Sequence, residues 1–255
     1  MKTVPVTYAG RTVALPDLAD YAKFYAKLRA GLWEPRTFAA LKRNLDADTV
    51  HVDIGAWIGV TPFWAAGIAK AVVAVEPDPQ CAGILRRLGR DYPNLTLLEG
   101  ALAAENAVTI NSVGGFGSSE TSVLAIGDGD CKVVQGLTVD DIMRHAGGAQ
   151  CFLKIDIEGY EYRLVPMLSR LNNYPLRAVQ IAVHPQLYEK SLSGPLFLRR
   201  LRTAWHTLRL GRLFAGTLGK ASISGFESLR TYIMYGVLLR SRPKGADFLF
   251  ERMPG

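Results

Sequence analysis

Cysteine is scarce and scattered. Cys81, Cys131 and Cys151 are the only three in 255 residues; their odd number and lack of any Cys-x-x-Cys spacing argue against a disulfide scaffold or a zinc cluster and for reduced, structural thiols. Long apolar runs are missing too. No stretch approaches the ~18 residues that a membrane span requires, and Met1-Lys2-Thr3-Val4-Pro5-Val6-Thr7-Tyr8 lacks the apolar region of a secretion signal. A cytoplasmic protein without a membrane span is the default expectation. Internal repeats and low-complexity linkers are absent, which favours a single domain. Acidic residues are in deficit, 23 against 30 lysines and arginines for a formal charge of +7. That balance suggests an acidic partner (a nucleotide, a phosphorylated lipid, an acidic sugar or a nucleic acid) without choosing among them.

With 49% hydrophobic and 21% charged residues, the chain can bury a full core. Residues 3–15 alternate around Gly10 and predict a hairpin. Asp17 is placed to cap a helix running to about Ala30, and Pro35 interrupts before a second helix ending near Asn44, leaving Glu34 in an extended connection. Strand and helix then alternate, with strands ending near Ile54, Glu76 and Glu99. The rhythm predicts a doubly wound α/β fold, a mostly parallel sheet with helices on both faces. Residues 100–136 change character to short β-like pieces, among them Gly114-Gly115-Phe116-Gly117-Ser118-Ser119, and read as an insertion of the size where binding loops occur. Thr138, with Asp141 three residues later, caps the next helix; strands follow from Cys151 and over 178–183. Residues 196–213 have helical periodicity with Arg199, Arg200, Arg202, Arg209 and Arg212, either a solvated face or a docking surface for an acidic substrate or a membrane. Residues 231–239 and 247–251, joined through Arg242-Pro243-Lys244-Gly245, predict a reversed C-terminal strand pair.

The most informative stretch is Val52-Asp53-Ile54-Gly55-Ala56-Trp57-Ile58-Gly59. A buried strand stops at two glycines and a helix begins at once, which aims backbone N–H groups and the positive end of the helix dipole into the turn. The strand 71–76 ends at Glu76, 21 residues after Gly55, close to the roughly 20-residue offset of a carboxylate that holds a ribose. A dinucleotide site prefers a glycine where Trp57 stands, so the turn argues against a pyrophosphate. Asp53 argues for a cationic group instead. S-adenosylmethionine meets both demands.

Together with Val75-Glu76-Pro77, Ala101-Leu102-Ala103, Leu137-Thr138-Val139-Asp140-Asp141 and Phe152-Leu153-Lys154-Ile155-Asp156-Ile157-Glu158-Gly159-Tyr160-Glu161, this turn resembles the FkbM-type S-adenosylmethionine-dependent methyltransferases over residues 33 to 185. The resemblance implies a class I methyltransferase, Rossmann-like sheet of seven strands with a reversed final pair, and O-methylation of a small molecule, sugar or natural-product intermediate. On that reading residues 1–48 cover the cofactor site and residues 49–255 form the methyltransferase domain. Cofactor contacts fall to Glu34 (either a solvated loop carboxylate or a contact to the cofactor's amino group), Asp53, Gly55, Ala56, Trp57, Gly59, Glu76, Pro77, Ala101 and Asp156. Two positions depart from the family pattern, Trp57 where Asn is commoner and Ala182-Val183-His184 where an acid often precedes the histidine.

Methyl transfer is an in-line displacement in which alignment supplies much of the acceleration, but an aliphatic hydroxyl must also lose a proton. Asp156, Glu158 and His184 stand at carboxyl ends of strands, where open α/β sheets bind ligands. Lys154 and Asp156 share a strand face at i, i+2, so a buried Lys154 has Asp156 as its nearest counter-charge. Catalytic candidates are therefore Asp156, His184, Glu158 and Lys154. A divalent ion held by Asp156, Glu158 and His184 is the less favoured option, and His51 is expected to be a packed core residue. The competing readings are an RNA methyltransferase, opposed by the lack of an Asn/Asp-Pro-Pro-Tyr run, and a non-catalytic cofactor-binding protein. The expected acceptor is hydroxylated and of acidic character, nucleic acid is not expected, and oligomeric state stays open, a homodimer included.

Overall fold

The computed structural model describes residues 1–112, 115, 117, 121–124, 130–240 and 245–251. Apolar runs punctuated by Gly and Pro become strands. After the N-terminal hairpin of β1 (Thr3–Tyr8) and β2 (Arg11–Pro16) come the helices α1 (Ala22–Arg29) and α2 (Pro35–Asn44), then β3 (Val50–Ile54), α3 (Val60–Ala66), β4 (Ala71–Glu76), α4 (Pro79–Leu88) and β5 (Leu95–Glu99). The insertion contributes β6 (Ala101–Leu102), β7 (Ala107–Ser112), β8 (Thr121–Ser122) and β9 (Asp130–Leu137), paired as a four-stranded sheet of their own. The main sheet resumes through α5 (Val139–Arg144), β10 (Cys151–Ile155), α6 (Val165–Leu168), β11 (Leu176–Val183), α7 (Pro185–Lys190), α8 (Leu196–Leu210), β12 (Ser222–Ile223), α9 (Leu229–Tyr232) and β13 (Ala246–Glu251).

Seven strands pair in the order β12-β13-β11-β10-β3-β4-β5. Five of them, from β11 to β5, run parallel. The parallel strands are apolar on both sides, because each face carries a layer of helices. Val52, Ile54, Leu153 and Ile155 pack with residues of α5, α6 and α8. His51, Asp53, Lys154 and Gln180 alternate to the other side, where Val72, Ala74 and Phe152 pack with the hairpin and α1 to α4. Chain order leaves β3 in opposite directions on its two sides, toward β4 and β5 and toward β10 and β11. This makes the gap between the carboxyl ends of β3 and β10 the switch point, where such sheets place ligands.

Three expectations are corrected. Residues 231–239 are not a strand: α9 continues into a π-helical turn, Ile233–Leu238, and the partner of β13 is the short β12. Tyr232 explains the change. It is fully buried between Phe226 and Phe248, and a Cβ on Gly236 would meet its ring at 2.6 Å, so tertiary packing overrides the strand preference of Tyr, Ile and Val. Of the C-terminal strands only β13 is reversed, being antiparallel to both β11 and β12. Asp17 caps nothing: the first turn, Ala19–Tyr21, has Leu18 at its cap without a side-chain bond. Glu34 is not extended but left-handed, φ 40° and ψ 50°, so that it enters α2 ahead of Pro35. The Arg242-Pro243-Lys244 link and Gly114, Phe116, Ser118 and Ser119 lie outside the described residues.

Thr138 caps α5 as expected, its hydroxyl taking the Asp141 N–H while the Asp141 side chain returns to the Thr138 N–H. Thr138→Ala is therefore expected to cost about 1 kcal/mol of unfolding free energy, and Asp17→Ala close to nothing. Denaturant titration of the two variants checks the contrast.

Candidate active site

The site is organised by a buried ammonium. Parallel register sets Lys154 of β10 directly beside Asp53 of β3, and the Lys154 Nζ lies 3.8 Å from Asp53 and 3.3 Å from Asp156. Burial opposes the charge, but Asp156, Asp53 and Glu34 together hold Lys154 protonated, well above its ordinary range. The expected Lys154 to Asp156 pair is present. Asp53 behaves differently from its expected role toward a cationic ligand group: it is wholly buried and lines neither of the openings described below. Its Oδ2 accepts a hydrogen bond from the Thr61 hydroxyl, and His51 Nε2 stands 3.5 Å away. Burial pushes the Asp53 pKa up, yet Lys154, His51 and Thr61 outweigh it and leave the carboxylate ionised. Asp53 thus answers Lys154 and ties the start of α3 to β3. His51 is fully buried, as expected, with its Nδ1 3.3 Å from the Phe152 carbonyl.

The glycine turn is forced by close approach. Gly55 sits at φ 92°, and a Cβ there would fall 1.9 Å from the Asp156 carbonyl oxygen. Gly59 also has positive φ, where a Cβ would strike the ring of Phe63; it serves the entry to α3 and lines neither of the two openings below. Trp57 and Glu158 adopt positive φ without being glycine, 49° and 50°, a local strain located where two turns meet.

Two openings share these turns. The first is lined by Gly55, Trp57, Glu76, Pro77, Ala101, Ser122, Asp156 and Glu158. Among the described residues its lining contains three acids and no Lys, Arg or His, which suits a cationic nucleoside and disfavours a phosphate. Glu76 is poised for it: Oε2 accepts the Trp57 N–H and Oε1 the Asp78 N–H, both at 2.7 Å. Burial nevertheless raises Glu76 to about 8. The second opening is lined by Glu34, Gly55, Ala56, Trp57, Lys154, Asp156, Glu158 and His184, with Lys23, Lys27 and Trp33 toward solvent. Glu34 is raised to about 7, first by burial, with Lys154 opposing, and its Oε2 has no hydrogen-bond partner.

His184 follows β11 and stands among carboxylates. Its Nε2 is 3.8 Å from Asp156 and 3.7 Å from Glu158, and its Nδ1 is 3.7 Å from Glu161. Burial opposes protonation, but Glu161, Asp156 and Glu158 raise the imidazole to about 10, so it is a cation at neutral pH in the ligand-free chain. Asp156, Glu158 and His184 each offer an atom within 4.8 Å of the others, the donor set that could hold a divalent ion.

Three residues contribute that sequence reasoning did not single out. Glu161, fully buried, accepts the His184 N–H at 2.8 Å and faces its ring; it is the last acid of the run from Lys154, its only sequence signal. Thr61 holds Asp53. Asp78 caps α4 with Oδ1 and with Oδ2 accepts the Gly117 N–H at 2.7 Å and the Thr121 hydroxyl at 3.0 Å. The Gly117 carbonyl in turn accepts from Tyr21 and the Trp57 indole, so the insertion is pinned over the first opening.

Because the folded His184 pKa lies above its ordinary 6.5, the stability it contributes is complete below pH 6.5 and is lost as pH rises through about 10. The thermal midpoint is expected to fall between pH 7 and 10 more steeply in the native sequence than in His184→Gln. Parallel melting curves across that range check this.

Comparison with curated protein sequences finds no match. Among solved structures the chain is similar to Trm5b of Pyrococcus abyssi (12% identity, TM-score 0.42, covering 97% of this chain and 54% of that one). It is also similar to the fibrillarin pre-rRNA processing protein of Methanococcus jannaschii (14%, 0.42, 87% and 78%) and to an rRNA methylase of Streptococcus thermophilus (10%, 0.42, 86% and 95%). Residues 53–203 match the methyltransferase FkbM domain, a span of more than half the chain that takes in the glycine turn, Glu76, the acid run from Lys154 and His184. The chain belongs to the FkbM methyltransferase family and is an S-adenosylmethionine-dependent methyltransferase.

Proposed function

We propose that this methyltransferase acts on a hydroxyl group of a small molecule or glycan-type acceptor. The observation that carries the reading is that two openings of different character meet at Gly55, Trp57, Asp156 and Glu158. The acid-lined one suits the nucleoside of the methyl donor, with Glu76 receiving ribose hydroxyls and Pro77 and Ala101 beside the base. The other suits the acceptor. Lys23 and Lys27, one helical turn apart on α1 and exposed, outnumber Asp20 at the outer rim of this opening and favour an acceptor with an anionic group.

S-adenosylmethionine supplies a methyl group on a sulfonium, which passes to the acceptor oxygen by in-line displacement and leaves a neutral thioether. The residues of the chain align the acceptor and receive its proton. Glu161 orients the His184 ring from the Nδ1 side, leaving Nε2 toward the opening. With a positive ligand charge beside Asp156 and Glu158, those carboxylates stabilise the imidazolium less, and His184 gives up its proton at lower pH. Neutral Nε2 then takes the acceptor's hydroxyl proton. Asp156 and Glu158 hold the hydroxyl, and Lys154 keeps Asp156 in place.

Glu76 must be ionised to accept ribose hydroxyls. Since its free-state value is about 8, affinity for S-adenosylhomocysteine is expected to rise by about tenfold per pH unit below pH 8 with release of a proton. Glu76→Gln should remove the pH dependence and weaken binding about 10- to 100-fold. Calorimetry between pH 6 and 9 in two buffers tests both; absence of binding at every pH would sink the reading. With a competent hydroxylated acceptor, His184→Gln is expected to lower kcat about 10²- to 10⁴-fold with S-adenosylhomocysteine affinity retained. Undiminished kcat in steady-state kinetics would exclude His184 as the proton acceptor.

A further inference from the structure

The charge of the chain is not spread evenly. Residues 190–226 contain Lys190, Arg199, Arg200, Arg202, Arg209, Arg212 and Lys220 and not one Asp or Glu, so this segment accounts for the whole formal excess of +7 and the remainder is neutral. Within it, α8 is turned inside out. Its inward residues are small or polar until the last turn: Thr203 and Thr207 are fully buried and Ala204 nearly so, and Leu210 is the one large apolar side chain turned inward. Its outward residues are large and apolar, with Phe197 62%, Leu201 53% and Trp205 54% exposed. Leu196 and Leu198 join them at the first turn, about half exposed. An amphipathic helix that packs its polar stripe on the protein and turns Leu, Phe and Trp to the outside has left its apolar face for something else.

The arginines border this face. Arg202 and Arg212 are exposed, and Arg209 stacks over the Trp205 ring at 4.7 Å. The orientation of α8 places the face near the active end of the sheet. Thr207 donates to the hydroxyl of Tyr162, which follows β10 beyond its carboxyl end, while Leu213 accepts from Asn172, which precedes β11. The helix therefore descends along the sheet, and at 1.5 Å per residue Phe197 stands about 15 Å beyond Thr207, on the side of Asp156 and His184.

We propose that the outer face of α8 docks on an anionic lipid bilayer, with Phe197, Leu201 and Trp205 entering the interface and Arg202, Arg209 and Arg212 meeting headgroup phosphates. Charge decides the occupant. A bare polyanion would pair with the arginines and leave the apolar ridge in water, and a second copy of this face would bring two basic segments together. A bilayer with acidic headgroups satisfies both sets of side chains, in the manner of an interfacial helix. The methyl acceptor is then reached from the membrane surface, although the docking surface itself requires nothing of the assignment of the acceptor.

Sedimentation of the full chain with sucrose-loaded vesicles tests the proposal, comparing phosphatidylcholine alone with phosphatidylcholine containing about 30% phosphatidylglycerol. Binding to the anionic vesicles only is expected, weakening with salt, together with quenching of tryptophan emission by brominated lipid that is lost in Trp205→Phe. Arg202→Ala and Arg212→Ala should each weaken partition about 5-fold. The double variant Phe197→Asp, Leu201→Asp should abolish it while leaving circular dichroism and the thermal midpoint unchanged, since both side chains are exposed. Equal partition of the double variant and the native chain would overturn the proposal. So would a native dimer that the double variant splits into monomers in equilibrium sedimentation, or binding to RNA with no binding to either vesicle.

Discussion

One ammonium group, that of Lys154, determines where everything else in the site can stand. It is 5% exposed and pairs with two carboxylates, Asp53 beside it in register on β3 and Asp156 two residues on, just past the end of β10. Removing Lys154 leaves two carboxylates without their shared cation, one of them wholly buried, which costs far more than the pairing contributes. The network therefore acts as a constraint more than as a source of stability. Asp53 can answer Lys154 only if β3 and β10 keep their register, and Asp156 can do so only if the chain leaves β10 past Gly55, where no Cβ fits. The two turns that shape the openings are thus held by the same three charges.

Much of this was legible. The strands that carry the site are apolar runs closed by Gly or Pro, and β4 and β5 occupy the residues their pattern marks. The Lys154 to Asp156 pair follows from strand parity alone. What stayed hidden depends on which residues the third dimension brings together. Asp53 reads in sequence as a carboxylate at a turn, and only the neighbouring strand shows that its charge is already taken. Glu161 carries no signal beyond its place in an acidic run, because its partner, His184, lies past the end of another strand. Residues 231–239 have the composition of a strand and become helical because the ring of Tyr232 needs the space beside Gly236. Glu34 enters a helix in the left-handed region, a conformation that Pro35 on its own does not suggest.

The distribution of charge has a similar logic at larger scale. The neutral remainder of the chain holds an acidic interior site, while the excess of positive charge sits on and around α8. A protein that carries cations to one surface and anions to one cavity separates the attraction for a surface from the attraction for a ligand. Neither interferes with the other.

The acid-lined first opening has a consequence for turnover. Transfer of the methyl group converts a charged sulfonium into a neutral thioether, so donor and spent product have nearly the same shape but differ by one positive charge. With the donor in the first opening, as proposed, a cavity lined by the carboxylates of Asp156 and Glu158 and, among the described residues, by no cation attracts the donor more than the product. The reaction thereby dismisses its own product: the electrostatic term that favours entry of the donor disappears at the moment the bond is made.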